Sequence, residues 1–112
     1  MRKSQNIILD GTNRSLKALY HAYNNFYFAN QLDPDIRVRF SQRPMKRTYA
    51  YYDPETEEIV IDKRFRFARR ICCWLLLHEM NHVWAGPEQE HNPIFDGGMF
   101  RLASIGALVG LW

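Results

Sequence analysis

From Ile71 to Ala85 the chain is apolar almost all the way round a helix, interrupted only by His78, Glu79, Asn81 and His82. A helix of that kind has no solvent face and must lie at the centre of the fold. At about 15 residues it is too short to span a bilayer, so no membrane partner is expected. Polar side chains buried in such a helix are costly unless something pairs with them. The four interruptions include His78-Glu79-Met80-Asn81-His82, an HExxH pattern. Residues four apart on a helix stand one above the other, so His78 and His82 present two imidazoles to one point. Glu79 lies one step, about 100°, round the helix from His78.

This is the pattern of a zinc-dependent peptidase. A catalytic zinc takes three protein ligands and leaves its fourth position to water, whose pKa it lowers to about 7. Glu79 is placed as the general base that takes the water's proton and passes it to the leaving amine. His78 and His82 are two metal ligands; the third must come from elsewhere. Downstream, Gly86-Pro87 ends the helix and a polar turn, Glu88 to Pro93, leads into a last apolar segment, helical from about Pro93. His91 in that turn is the preferred third ligand, since imidazole binds zinc well and the turn can bring it back to the metal. Asp96 is its main rival, with Glu88 and Glu90 behind.

The rest of the chain reads as support. Thr12 or Asn13 can cap a first helix whose Leu16, Leu19, Tyr20, Tyr23, Phe26 and Tyr27 follow one helical face to about Phe28. His21 falls off that stripe. Ile36, Val38 and Phe40 alternate with Arg37 and Arg39 as in a half-buried strand. After a basic loop, Ser41 to Arg47, the stretches Thr48–Tyr52 and Glu58–Asp62 flank an Asp53-Pro54-Glu55-Thr56-Glu57 turn and read as a hairpin. At 112 residues, with 46% hydrophobic and 14% aromatic residues, the chain has the makings of one packed domain, 1–112, and not of a disordered segment. No secretory signal is legible near Met1, and Cys72 and Cys73 are adjacent in the apolar run, where neighbours cannot bridge easily. Reduced cysteines and a cytoplasmic location are expected. A net charge of +3 is mild and does not by itself demand a nucleic-acid partner.

Taken together these features resemble the SprT-like family of zinc metallopeptidases, which includes the Spartan catalytic domain and, more distantly, the single-domain minigluzincins. The resemblance runs from about Ser15 to Ala107. It is carried by Asn25-Phe26-Tyr27-Phe28 with Leu32 beyond, by Val38-Arg39-Phe40-Ser41, and by Tyr49-Ala50-Tyr51. Ile59-Val60-Ile61-Asp62 and Leu77-His78-Glu79-Met80-Asn81-His82 follow. A histidine followed four residues later by an aromatic closes the pattern, as in His91-Asn92-Pro93-Ile94-Phe95; a second register, Asp96-Gly97-Gly98-Met99-Phe100, puts Asp96 in the histidine's place.

The family implies an α+β, zincin-like fold: an N-terminal helix, a small, mainly antiparallel sheet of about three strands, the buried HExxH helix and a C-terminal helix. It also implies a protein or peptide substrate laid along a sheet edge, for which Tyr49, Ala50 and Tyr51 are the candidates, and Zn2+ as cofactor. In Spartan-like members the activity is directed at proteins crosslinked to DNA, which makes Arg64, Arg66, Arg69 and Arg70 candidate nucleic-acid contacts. Tyr49, Tyr51 and Arg101 are polar candidates for stabilising the oxyanion. The competing reading is a catalytically inactive or latent zinc-binding module that docks a partner through its basic surface, with the apolar tail Ala107–Trp112 covering the cleft in the latent case.

Overall fold

The computed structural model describes residues 9–86 and 93–106. The first helix, α1, spans Asn13–Tyr27. Thr12 caps it, its hydroxyl accepting the Ser15 N–H at 3.1 Å, which satisfies one of the donors a first turn leaves without a helical partner. Leu16, Leu19, Tyr20, Tyr23 and Tyr27 form its buried face. Phe26, read from periodicity as part of that stripe, is 37% exposed, because Tyr27, one step further round, takes the inward direction. Beyond α1, Ala29 and Asn30 adopt left-handed backbone with φ of 51° and 59°, and the chain reverses. The buried Asn24 amide clasps Leu32 across that turn, donating to its carbonyl at 2.9 Å and accepting from its N–H at 3.1 Å.

Three short strands follow: β1 (Arg37–Phe40), β2 (Ala50–Asp53) and β3 (Glu58–Ile61). Their order in the sheet is β1-β3-β2. β2 and β3 form the expected antiparallel hairpin, pairing Ala50 with Ile61 and Asp53 with Glu58. β1 instead pairs with β3 in parallel, Arg37 opposite Glu58 and Phe40 opposite Ile61, so the sheet is mixed and not mainly antiparallel. The reason lies in β3: Ile59, Val60 and Ile61 are all buried, as suits a central strand covered on both faces. With β1 on one side of β3, the hairpin partner β2 is left at the edge.

Directly after β3, Asp62 is buried and ties the basic loop to the fold. It accepts from the Arg64 guanidinium at 2.7 Å, from the Arg64 N–H at 2.9 Å and from the Met45 N–H at 2.9 Å. Hydrogen bonding from Arg64 holds this carboxyl down at about 2. A 3₁₀ turn, Lys63–Phe65, then leads into α2, Arg69–Ala85, which begins two residues before the apolar run. It ends at Gly86, whose φ of 114° favours glycine. α3 spans Pro93–Ser104.

α1 packs on β1, and α2 packs across β2 and β3 and against α3. One core cluster joins Leu16 and Tyr20 of α1, Ile59 and Ile61 of β3, Leu76 and Met80 of α2, and Leu102 of α3; burying an aliphatic side chain of this size stabilises by about 1.5–3 kcal/mol. Cys72 and Cys73 are buried free thiols in it. Among the described residues no helix is long and apolar enough to cross a membrane.

Candidate metal centre

The α2 register brings His78, Glu79 and His82 into one group, with a ligand atom from each within 4.8 Å of the others. The two imidazole rings stand 5.1 Å apart, nearly perpendicular at 74°. Aromatic neighbours fix their orientation. Phe95 of α3 stacks on His82 at 4.2 Å and meets His78 edge-on at 5.0 Å, while Trp74, one turn before His78, stacks on it at 5.0 Å. Phe95 is in turn positioned by Asn81, whose Nδ2 donates to the Phe95 carbonyl at 2.8 Å.

Opposite the group runs β2, and between them lies a cleft of about 330 Å³, lined by Thr48, Ala50, Tyr51 and Tyr52 on one side and by His78, Glu79 and His82 on the other. Glu79 is only 6% exposed. Burial pushes its carboxyl up to about 7, against the opposing pull of a hydrogen bond from the Tyr52 backbone. A carboxyl held near neutrality can both take and return a proton at physiological pH. The facing edge is equally well defined. The Asp62 N–H donates to the Tyr49 carbonyl at 2.8 Å, so Tyr49 and Tyr51 direct their main chain toward β3. By the alternation of an antiparallel ladder, Ala50 and Tyr52 turn theirs outward into the cleft.

Other candidates fall differently. Ala50 and Tyr51 line the cleft; Tyr49 is 59% exposed, packs edge-on against Phe65 at 5.3 Å and lines a neighbouring basic pocket. Asp96 is exposed on α3 and is not among the residues grouped with the two histidines. His91, Glu88 and Glu90 lie outside the described residues, as does the tail Ala107–Trp112. Arg101 lies over the rings of Phe28 and Trp84, 5.2 and 5.8 Å from their centres, and does not line the cleft. Arg64 is committed to Asp62, and Arg66 lies over the Phe67 ring at 5.1 Å and donates to the Lys63 carbonyl. Arg69 and Arg70 are exposed in the first turn of α2, and His21 is exposed beside Tyr20. Thr48 and Tyr52, the ends of the strand read from the sequence as the substrate edge, line the cleft as well, although the sequence singled out only Tyr49, Ala50 and Tyr51 within it. The parity of strand pairing would have selected Tyr52, but parity requires the register.

The model of the SprT-like family matches residues 16–108. The chain belongs to the SprT-like family. Comparison with curated proteins and with solved structures finds no match. In this SprT-like chain Phe95, the aromatic that closes the sequence signature, backs both imidazoles. The donor set suits a metal ion of zinc's kind, with two imidazoles on one helix face, ring planes held by stacking, and a buried carboxylate beside them.

Proposed function

We propose that this SprT-like chain is a zinc-dependent endopeptidase, with His78 and His82 holding the metal and Glu79 as general base. His91 is the proposed third ligand and Asp96 its rival. Zinc held there supplies Lewis acidity, lowering the pKa of water and polarising a carbonyl. The chain's own residues do the rest. Glu79 takes the proton from the attacking water and returns it to the leaving amine. Trp74 and Phe95 keep the imidazole rings from rotating. The Ala50 N–H and the Tyr52 carbonyl face outward, and an extended peptide adds there as a further strand, bringing its carbonyl beside Glu79; the Ala50 carbonyl and the Tyr52 N–H are held by the Thr48 hydroxyl and by Glu79.

The observation that carries this reading is the placement of Glu79, buried beside the two imidazoles and facing the edge of β2 across the cleft. Metal content and cleavage of an unfolded protein substrate, measured on the same samples, test it. The wild type should carry one zinc per chain and cleave. Glu79→Gln should keep the zinc and lose cleavage by at least about a hundredfold. His78→Ala and His82→Ala should lose both. Loss of zinc in His91→Ala but not in Asp96→Ala would assign the third ligand. A folded, zinc-loaded wild type without cleavage would remove the peptidase reading and leave a zinc-binding module.

A further inference from the structure

The two ends of the edge strand carry opposite charge. Before β2, Lys46 and Arg47 are exposed and line a pocket of about 650 Å³ with Thr48, Tyr49 and Arg64. Thr48 also lines the cleft beside Glu79, so the two spaces adjoin at that residue. Arg64 is neutralised by Asp62, whereas neither Lys46 nor Arg47 forms an ion pair among the described residues. After β2 the sign reverses. Asp53 ends the strand, and Glu55 and Glu57 are exposed in the turn that follows it. Among the described residues, Glu58 is the one carboxylate of this stretch in an ion pair, with Arg39 at 2.9 Å.

A peptide added to β2 pairs more favourably antiparallel than parallel. Its N-terminal half then lies toward Asp53 and its C-terminal half toward Thr48. With about 3.3 Å per residue along an extended chain, Thr48 is roughly 13 Å from Tyr52, and the long Lys46 and Arg47 side chains reach further along the groove. Charges on the substrate therefore meet the two rims about two to four residues from the bond beside Glu79.

We infer that the cleft selects substrates of matching polarity, with basic side chains on the N-terminal side of the cleaved bond, met by Asp53 and Glu57, and acidic side chains on its C-terminal side, met by Lys46 and Arg47. The inference rests on the endopeptidase reading for the position of the bond, but the polarity of binding can be tested separately. Exposed ion pairs contribute weakly and like charges oppose by similar amounts. Exchanging favourable for unfavourable contacts at both rims therefore changes recognition about tenfold.

Three peptides sharing one apolar centre test this. One carries two lysines before the centre and two glutamates after it, the second has the charged pairs exchanged, and the third has glutamine at all four positions. The zinc-loaded full chain should cleave the first with a kcat/KM about tenfold above the second, and the ratio should shrink as salt is raised. Binding of the same labelled peptides to Glu79→Gln, read by fluorescence anisotropy, should show the same order. The Lys46→Glu/Arg47→Glu protein should collapse the ratio between the first two peptides, in binding and in cleavage alike. Asp53→Asn/Glu57→Gln should relieve the other half. Failure to cleave any peptide while the anisotropy order holds would remove the peptidase reading and keep the polarity. Equal binding of the first two peptides would overturn the polarity, whatever the cleavage. So would single-stranded DNA bound at the Lys46 and Arg47 rim in place of peptide discrimination.

Discussion

Replacing Glu79 by Gln should stabilise the metal-free protein, and only above a defined pH. In the folded chain burial raises the Glu79 carboxyl from the ordinary 4.5 to about 7. Between those values the folded state binds more protons than the unfolded one, so stability falls as pH rises through this window and is level above it. At about 1.36 kcal/mol per pH unit, a separation of roughly 2.5 makes ionised Glu79 cost the fold about 3 kcal/mol. Gln keeps the shape and an oxygen for the Tyr52 hydrogen bond but has no charge to bury. Urea unfolding after chelator treatment should therefore place Glu79→Gln about 3 kcal/mol above wild type at about pH 8, a midpoint shift of about 2 M for an m value near 1.5 kcal/mol/M. At about pH 4.5 the two proteins should agree to within a few tenths of a kcal/mol. A gain of equal size at both pH values, or none at the higher one, would refute the claim that the site holds a strained carboxylate.

A methyl at Gly98 would run into the Asn81 amide oxygen and lie 2.9 Å from the Trp84 ring, so Gly98→Ala should destabilise by about 1–3 kcal/mol, read by thermal unfolding, and weaken zinc retention against a chelator. Phe95→Ala should cost about 3–5 kcal/mol and also lower zinc affinity, because both imidazoles lose the ring that backs them. Thr12→Ala should lose about 1 kcal/mol of stability with cleavage unchanged, as the cap is remote from the cleft. Asp62→Asn should lower the melting temperature at neutral pH. Because the Asp62 carboxyl is depressed to about 2, its stabilisation is present above the ordinary 3.8 and fades as pH falls through 2, so the gap between Asn variant and wild type should close in that range.

The elements whose signal is local were legible in the sequence. The α2 run, the Thr12 cap, the hairpin around Pro54 and the start of α3 at Pro93 each rest on spacing or turn chemistry that neighbours in the chain carry themselves. The parallel pairing of β1 with β3 was not legible, since alternation in Ile36–Phe40 says which face is buried and nothing about the partner. The same gap kept Tyr52 from being singled out within the Thr48–Tyr52 edge: which residues of an edge strand turn their main chain outward depends on register. Arg64 looked like one of several surface cations because its partner, Asp62, is two residues away in sequence and buried only once β3 is central. Of the metal group, His78, Glu79 and His82 follow from helix geometry alone. The ring packing by Phe95 follows only from α3 folding back on α2.

A pattern written HExxH has two wildcards, and in this chain neither is free. Met80 fills the core and Asn81 is buried with its amide on the Phe95 carbonyl. The grip of Asn81 on α3 and the packing of Phe95 on the imidazoles share one joint, so seating of α3 and binding of a metal at the proposed site are coupled. By linkage, a metal that favours the seated helix is favoured by it in return, by the same factor. A chelator should therefore loosen α3 first, and a ligand that pries α3 away should release the metal.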